Sequence, residues 1–128
     1  MLQLIRSSNK SMAIIIKSKD QIKTMRESGR IDATVLRLLV NNIKPGATPI
    51  DLDNIVRREF SKHKVIPTFL GYHDYPSTIC VSVNDEIVHG IPNDRQFKNG
   101  DIVSIDLGCT YNGFVADSAL TVGVGKKN

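Results

Sequence analysis

Residues 103–118 read VSIDLGCTYNGFVADS, two segments of strand-forming residues on either side of Asn112-Gly113. An Asn-Gly pair between two such segments is the strongest local signal for a hairpin with a two-residue turn, because both turn positions need a positive φ. Tyr111 then pairs with Phe114, and the register of every other residue follows from that pair. The sequence therefore predicts a long antiparallel hairpin.

The turn also predicts where two acidic residues of the hairpin lie. In this register Asp106 pairs with Ala119, and Asp117 pairs with Gly108. Because side chains alternate between the faces of a strand, both carboxylates project from one face as diagonal neighbours, with backbones roughly 7–8 Å apart. No Lys or Arg lies within the two segments to neutralise them. A bound cation is the simplest partner, and two acids that simply face water are the alternative.

The opposite face of the predicted hairpin is apolar and should lie against a core. It carries Val103, Ile105, Leu107, Phe114, Ala116, Leu120 and Val122. The acidic face has small neighbours around the two carboxylates, which leaves room for a ligand. We therefore expect the apolar face to pack against the core and the acidic face to form a ligand site.

Two helices are predicted before the sheet. Ser18-Lys19-Asp20-Gln21 resembles a capping box and should start the first helix. The second should begin with Thr48 as its cap, carry Pro49 at its first position and end near His63. The first helix shows apolar or small residues at spacings of three and four, namely Ile22, Met25, Gly29, Ala33, Leu36, Leu39 and Ile43.

Three further strands are predicted between the helices and the hairpin, at residues 65–66, 78–83 and 87–92, with a loop at 71–76. The order of two helices followed by an antiparallel sheet is typical of an α+β fold.

Composition indicates one globular domain with an uneven charge. The 128 residues are 41% hydrophobic and 23% charged, and their formal net charge is +4. Residues 1–30 carry seven Lys or Arg against two acids, whereas residues 31–128 carry ten against eleven. The basic excess favours an anionic partner such as RNA. A solvated helix face explains the same excess and is the more common case.

The cysteines indicate the cellular compartment, and the apolar and aromatic residues argue against a membrane or a DNA partner. Cys80 and Cys109 are too far apart to suggest a zinc knuckle or a disulfide framework. Cys80 lies in an apolar strand and should be a buried reduced thiol, which is typical of the cytoplasm. The sequence predicts no membrane partner, because no apolar run is long enough to span a bilayer. It predicts no DNA partner, because its aromatic residues are not interleaved with basic ones.

His89 and three aromatic residues are candidates for substrate contacts. His89 precedes Gly90, and its imidazole could donate a hydrogen bond to a substrate carbonyl or leaving nitrogen. An ordinary surface or core histidine is the alternative. Phe69, Tyr72 and Tyr75 could line an apolar pocket, or could instead pin a loop to the core.

Residues 75–92, 99–106 and 112–118 are three motif-bearing segments. Together they closely resemble the type I methionine aminopeptidases, and the similarity runs from about Lys17 to about Gly125. The combination of Asn84, the His89–Pro92 run, Asp106 and Asp117 is specific to this family.

The resemblance implies a pita-bread (creatinase/aminopeptidase) fold and hydrolytic removal of the initiator methionine from nascent polypeptides. It implies two divalent metal ions (Co, Mn, Fe or Zn), with Asp106 and Asp117 as ligands and the latter bridging. It makes His89 the residue that contacts substrate and steadies the tetrahedral intermediate. The residues matching the methionine side-chain pocket are Phe69, Tyr72 and Tyr75. Approach to the ribosome would suit the basic first helix.

The resemblance also implies ligands that this sequence lacks. The family site adds a histidine and two glutamates after the second aspartate, and residues 118–128 contain neither type. We therefore expect residues 1–16 to be a partly disordered extension and residues 17–128 to be the N-terminal half of the domain, inactive by itself. The alternative is a non-catalytic half-fold that binds a partner chain.

Overall fold

Two α-helices, a single 3₁₀ turn (Tyr72–Asp74) and four strands form the structure, a computed structural model that describes residues 13–125. Helix α1 spans Lys19–Asn42 and helix α2 spans Pro49–His63. The strands are β1 (Ile66–Pro67), β2 (Ile79–Val83), β3 (Ile102–Tyr111) and β4 (Phe114–Gly123). Most of the predicted extension, residues 1–16, lies outside the described residues.

The predicted helix starts are confirmed. Ser18 accepts a hydrogen bond from the backbone N–H of Gln21, and the Gln21 side chain accepts one from the backbone N–H of Ser18. Thr48 and Asp51 form the same reciprocal pair at the start of α2. Each capping box satisfies backbone donors that a helix leaves without partners at its first turn.

Strand β3 is the centre of an antiparallel sheet. Strand β4 pairs with its whole length, from Ile102↔Gly123 to Tyr111↔Phe114. Strands β1 and β2 pair with different parts of β3 and therefore share its other edge. The predicted α+β order of two helices and an antiparallel sheet is confirmed.

The strand predicted over residues 87–92 is wrong. This segment has no regular structure, and His89 has a left-handed φ of 57°, which an extended strand does not allow. The segment nevertheless touches the sheet at one point, where the backbone N–H of Val81 donates to the carbonyl oxygen of Gly90 over 2.9 Å. The sequence suggested a strand because Ile87 and Val88 are apolar and β-branched, yet both side chains are exposed.

The apolar stripe of α1 does not coincide with the buried face over the first turns of the helix. Ile22 and Met25 are exposed, whereas Ser28 and Asp32 are buried. Helix α1 crosses β3 and β4 with a neighbouring face, on which the two polar side chains find partners on the hairpin. Ile31, Val35 and Leu39 are buried on that face at spacings of four, but hydropathy could not show that Ser28 and Asp32 lie there with them.

The core lies between the helices and one face of the sheet. Its largest fully buried side chains come from both helices, from β2 and β3 and from Phe97, and they include Ile31, Leu39, Leu52, Phe60, Ile79, Ile105 and Leu107. Within residues 13–125 neither helix has an apolar stretch of the length that crossing a bilayer requires. The helices cover the apolar face of the hairpin, so the acidic face remains accessible.

Candidate metal centre and substrate pocket

The hairpin turn brings the two acids together as predicted. Asn112 and Gly113 have φ values of 45° and 82°, the left-handed pair that a type I′ turn requires. Asp106 pairs with Ala119 and Asp117 with Gly108, so the predicted register is confirmed. Both carboxylates project from the face opposite the helices.

The two carboxyl groups interact with each other. Burial above all, and then the charge of Asp117, raise the pKa of Asp106 to about 6, while nearby His89 opposes the rise. The Oδ1 atom of Asp106 is buried and has no hydrogen-bond partner among the described residues. Two acids held this close are unfavourable for the protein alone, and a cation between them would relieve the repulsion.

These residues fit part of a metal site. Carboxylate oxygens suit hard and borderline divalent ions, and the orphaned oxygen of Asp106 is a free ligand atom. Residues 13–125 hold no cluster of three or more His, Cys, Asp or Glu that could bind a metal. The chain would therefore supply two ligands, and further ligands would have to come from elsewhere.

A cavity of about 450 Å³ adjoins the two acids and gathers all the predicted site residues. Its lining residues are Phe69, Tyr72, His73, Tyr75, Cys80, His89, Ile91, Asp106 and Asp117. A mostly apolar hollow with a few polar groups at one end is the usual form of a small-ligand site.

His89 is held at the edge of this cavity by the backbone of its neighbour. The N–H of Gly90 donates to Oγ of Ser82 over 3.1 Å, and its carbonyl oxygen accepts from Val81. A Cβ at Gly90 would lie 2.1 Å from the carbonyl oxygen of Val81, so only glycine allows this approach. The left-handed φ of His89 is a strained backbone of the kind that is concentrated at functional sites.

The aromatic walls are fixed by different contacts. The hydroxyl of Tyr75 lies within donating distance of the carbonyl oxygens of Ile79 (3.0 Å) and Gly90 (3.1 Å), so it ties the loop to β2 and to the His89 segment. Burial, above all, raises its pKa well above the usual range. The ring of Phe69 lies over Gly108, where a Cβ would meet it at 2.9 Å. Tyr72 is mostly exposed at the cavity mouth.

Three pocket residues were not predicted from the sequence: His73, Cys80 and Ile91. Cys80 is buried, as predicted, but it also pairs with Asp106 across β2 and β3 and so shares its face. Strand alternation would have identified it once the β2–β3 register was known. Burial raises the pKa of its thiol, which keeps it protonated at neutral pH.

Asp32 is a fourth residue that the sequence did not single out. Its side chain is 2% exposed, its Oδ2 accepts a hydrogen bond from Ser118, and its Oδ1 is buried without a partner in the described chain. Burial raises its pKa to about 6, although the Ser118 bond opposes the rise. The only sequence signal is an acid four positions after Ser28, within an otherwise helical apolar pattern.

Asp32→Asn is expected to stabilise the protein at alkaline pH. A carboxyl whose pKa is raised on folding favours the folded state below its unfolded pKa, and this contribution is lost as the pH rises through the folded value. The variant should therefore gain up to about 3 kcal/mol in free energy of unfolding at pH 8 and little at pH 4. Urea unfolding at pH 4 and at pH 8 measures the free energy of unfolding of the variant and of the wild type. The exposed Asp20→Asn is the control, and equal pH dependence in both variants would contradict the expectation.

Comparisons with known proteins agree with this fold and these motifs. Residues 23–128 match the model of metallopeptidase family M24. The chain is 48% identical to methionine aminopeptidase 1 of Bacillus subtilis and 43% identical to a methionine aminopeptidase of Clostridium perfringens. Each alignment extends over 112 residues and covers 88% of this chain and 45% of the relative.

Solved structures show the same partial coverage. Methionine aminopeptidase from Thermotoga maritima matches with a TM-score of 0.86 and 42% identity, over 91% of this chain and 47% of that one. Prolidase from Pyrococcus horikoshii, at 22% identity and a TM-score of 0.75, shares the fold alone. The chain spans about half the length of the curated relatives it matches, and its architecture corresponds to about half of their pita-bread fold. The chain therefore belongs to metallopeptidase family M24, and its resemblance to the type I methionine aminopeptidases is confirmed over that half.

Proposed function

We propose that this chain supplies two metal ligands and the methionine pocket of a dinuclear metalloaminopeptidase, a hydrolase that removes the initiator methionine from nascent polypeptides. The observation that carries the proposal is the convergence of Asp106, Asp117 and His89 on one cavity with aromatic walls. The family match and the partial coverage of methionine aminopeptidases support it.

Each residue has a role that its surroundings support. Asp106 and Asp117 would hold the two divalent ions, for which Mn, Fe, Co and Zn are all candidates. Such ions, when bound, supply a water of lowered pKa and polarise the scissile carbonyl. His89 would donate a hydrogen bond to the oxygen that gains charge, or to the leaving nitrogen. The apolar cavity formed by Phe69, Tyr72 and Tyr75 would bind the methionine side chain.

Direct metal titration tests the ligand assignment. Calorimetry with Mn²⁺ should detect weak binding to the 128-residue chain, because two carboxylates without an imidazole hold such ions poorly. Asp117→Asn should remove that binding. Asp85→Asn, which changes an exposed acid in a turn, should leave it unchanged. Equal binding by all three proteins would contradict the assignment.

We infer that the 128 residues alone do not turn over substrate. The histidine and two glutamates that the resemblance implies have no counterparts in residues 118–128. Release of methionine from a Met-Ala-Ser peptide, with added Mn²⁺ or Co²⁺, should stay at background. Robust turnover would refute this inference while leaving the ligand assignment intact.

The cellular setting is part of the same proposal. Two buried free cysteines suit the reducing cytoplasm, where nascent chains emerge. The first helix carries exposed basic side chains, including Lys23, Arg26 and Arg37, which suit a ribosomal surface. Co-sedimentation with ribosomes at low and high salt would test that contact.

One observation favours a second candidate function, a half-fold that binds a partner chain. Within residues 13–125, β4 pairs only with β3, so one edge of this ten-residue strand has no partner. The strand contains no Lys or Pro, the residues that commonly protect an edge. Analytical ultracentrifugation would detect self-association, and Thr121→Lys on the exposed strand should weaken it. A monomer at all concentrations would exclude pairing with a second copy.

A further inference from the structure

Helix α1 is hydrogen-bonded to the hairpin at two points one helical turn apart. Oγ of Ser28 donates to the carbonyl oxygen of Phe114 over 3.0 Å, near the turn. Asp32 accepts a hydrogen bond from Oγ of Ser118, near the middle of β4. Ser28 and Asp32 are both buried, and their partners Phe114 and Ser118 on β4 are half-buried. They hold β4 from the side of the sheet opposite the two acids.

The second bond lies next to a proposed metal ligand. Ser118 follows Asp117, and their side chains project to opposite faces of β4. Asp117 pairs with Gly108, which offers no side chain to restrain it laterally. The outer edge of β4 has no strand beside it in residues 13–125. The backbone at Asp117 is therefore held by β3 on one edge and by the Asp32–Ser118 bond from beneath.

A carboxylate acceptor for this bond destabilises the fold more than a neutral acceptor would. One oxygen of Asp32 is buried without a partner among residues 13–125, and a buried charge costs more than a neutral acceptor in the same place. An amide would accept the same bond from Ser118 at lower cost. The charge of Asp32 also acts on Asp106 and Asp117 through the sheet. The three acids therefore repel one another when all are ionised, and together they would attract a cation.

We propose that Asp32 is a positioning residue for the candidate metal centre. Its bond to Ser118 fixes β4 at Asp117, and its charge adds to the negative potential on the opposite face of the hairpin. The inference rests on the proposed metal binding by Asp106 and Asp117. Asp32 would touch neither substrate nor metal, so it would act through its bond to Ser118 and through the electrostatic potential at the two metal ligands.

Four variants separate the bond from the charge. Ser118→Ala and Asp32→Ala both remove the bond, Asp32→Asn keeps an acceptor but removes the charge, and Asp20→Ala is a control at an exposed acid of the same helix. Mn²⁺ affinity is measured by calorimetry on protein that circular dichroism shows to be fully folded. Hydrogen exchange is measured at the even-numbered amides of β4, which the register directs toward β3.

Loss of the Asp32–Ser118 bond should weaken Mn²⁺ binding more than loss of the Asp32 charge alone. Ser118→Ala and Asp32→Ala should each weaken Mn²⁺ binding about tenfold, as losses behind a ligand commonly do, and their combination should add little. Both should speed exchange at the Ser118 amide. Asp32→Asn should restore slow exchange and give an affinity between wild type and Asp32→Ala, a rescue that loss of fold stability alone would not produce.

The outcomes that overturn the inference differ from those that overturn the proposed function. Wild-type affinity and wild-type exchange in Asp32→Ala would refute the positioning role. If the wild-type chain takes up no Mn²⁺, the metal assignment fails, and exchange at Ser118 alone decides whether Asp32 positions the strand. If Asp32→Ala does not fold, Ser118→Ala provides both measurements, and wild-type values there refute the role.

Discussion

Gly90→Ala is expected to destabilise the protein by about 3 kcal/mol, at the upper end of the cost of overpacking. The added Cβ would lie 2.1 Å from the carbonyl oxygen of Val81 and 2.8 Å from its carbon, and backbone atoms cannot move aside as a flexible side chain can. Relief requires the segment around His89 to move away from β2. That movement breaks the bond from Val81 to Gly90.

The same substitution should displace His89 from the cavity. Urea unfolding measures the stability loss, and NMR of the His89 imidazole in the folded variant measures the displacement. Gly123→Ala is the matched control, because Gly123 lies in a strand and a Cβ there meets no atom of the described residues within 4 Å. Equal stability of the two variants would show that the close approach of Gly90 to β2 does not hold this segment.

Asp53→Ala is expected to cost about 3 kcal/mol, because it leaves three donors without their acceptor. Oδ1 of Asp53 accepts from the backbone N–H of Thr78 (2.8 Å) and from its hydroxyl (2.6 Å), and Oδ2 accepts from Nε of Arg57 (2.7 Å). Thr78 directly precedes β2, at the end of the loop that carries Tyr75. The variant should therefore also loosen the aromatic wall of the cavity.

The pH dependence of this effect has a definite sign. Burial by itself would raise the pKa of Asp53, but the bonds from Thr78 and Arg57 outweigh it and hold the pKa below its ordinary value of 3.8. The stabilisation is therefore present above about pH 4 and is lost as the pH falls through the lower folded value. Asp51→Ala, at the exposed cap of the same helix, should cost only about 1 kcal/mol. A loss in Asp53→Ala no larger than that would contradict the role of the buried acceptor.

Local sequence signals predicted the parts of this protein whose partners lie close in the chain. Capping boxes depend on residues three positions apart, and Ser18 and Thr48 start their helices as predicted. The Asn112-Gly113 turn determines the hairpin register by its own geometry, so the pairing of Asp106 and Asp117 followed from counting. The family motifs are equally local, because they are read along the chain.

Contacts between distant segments were not predictable in this way. Residues 87–92 read as a strand, but the close approach of Gly90 to Val81 and the left-handed His89 make the segment a support for the imidazole. Cys80 reaches the site only because β2 pairs with β3 in a register that no turn specifies. Its burial was predictable from hydropathy, but its position beside Asp106 was not.

The sequence by itself determined the two helices, the hairpin and the face on which two acids converge, because each rests on interactions within a few residues or on one turn. Only the tertiary structure decided that Ser28 and Asp32 join Ile31, Val35 and Leu39 on the buried face of α1, which places Asp32 behind Asp117. Their burial depends on two hydrogen bonds with β4: Ser28 donates to the carbonyl oxygen of Phe114, and Asp32 accepts from Ser118, each 86 residues away. Hydropathy periodicity contains no information about such partners, because it ranks a buried serine or aspartate as a residue that should face water.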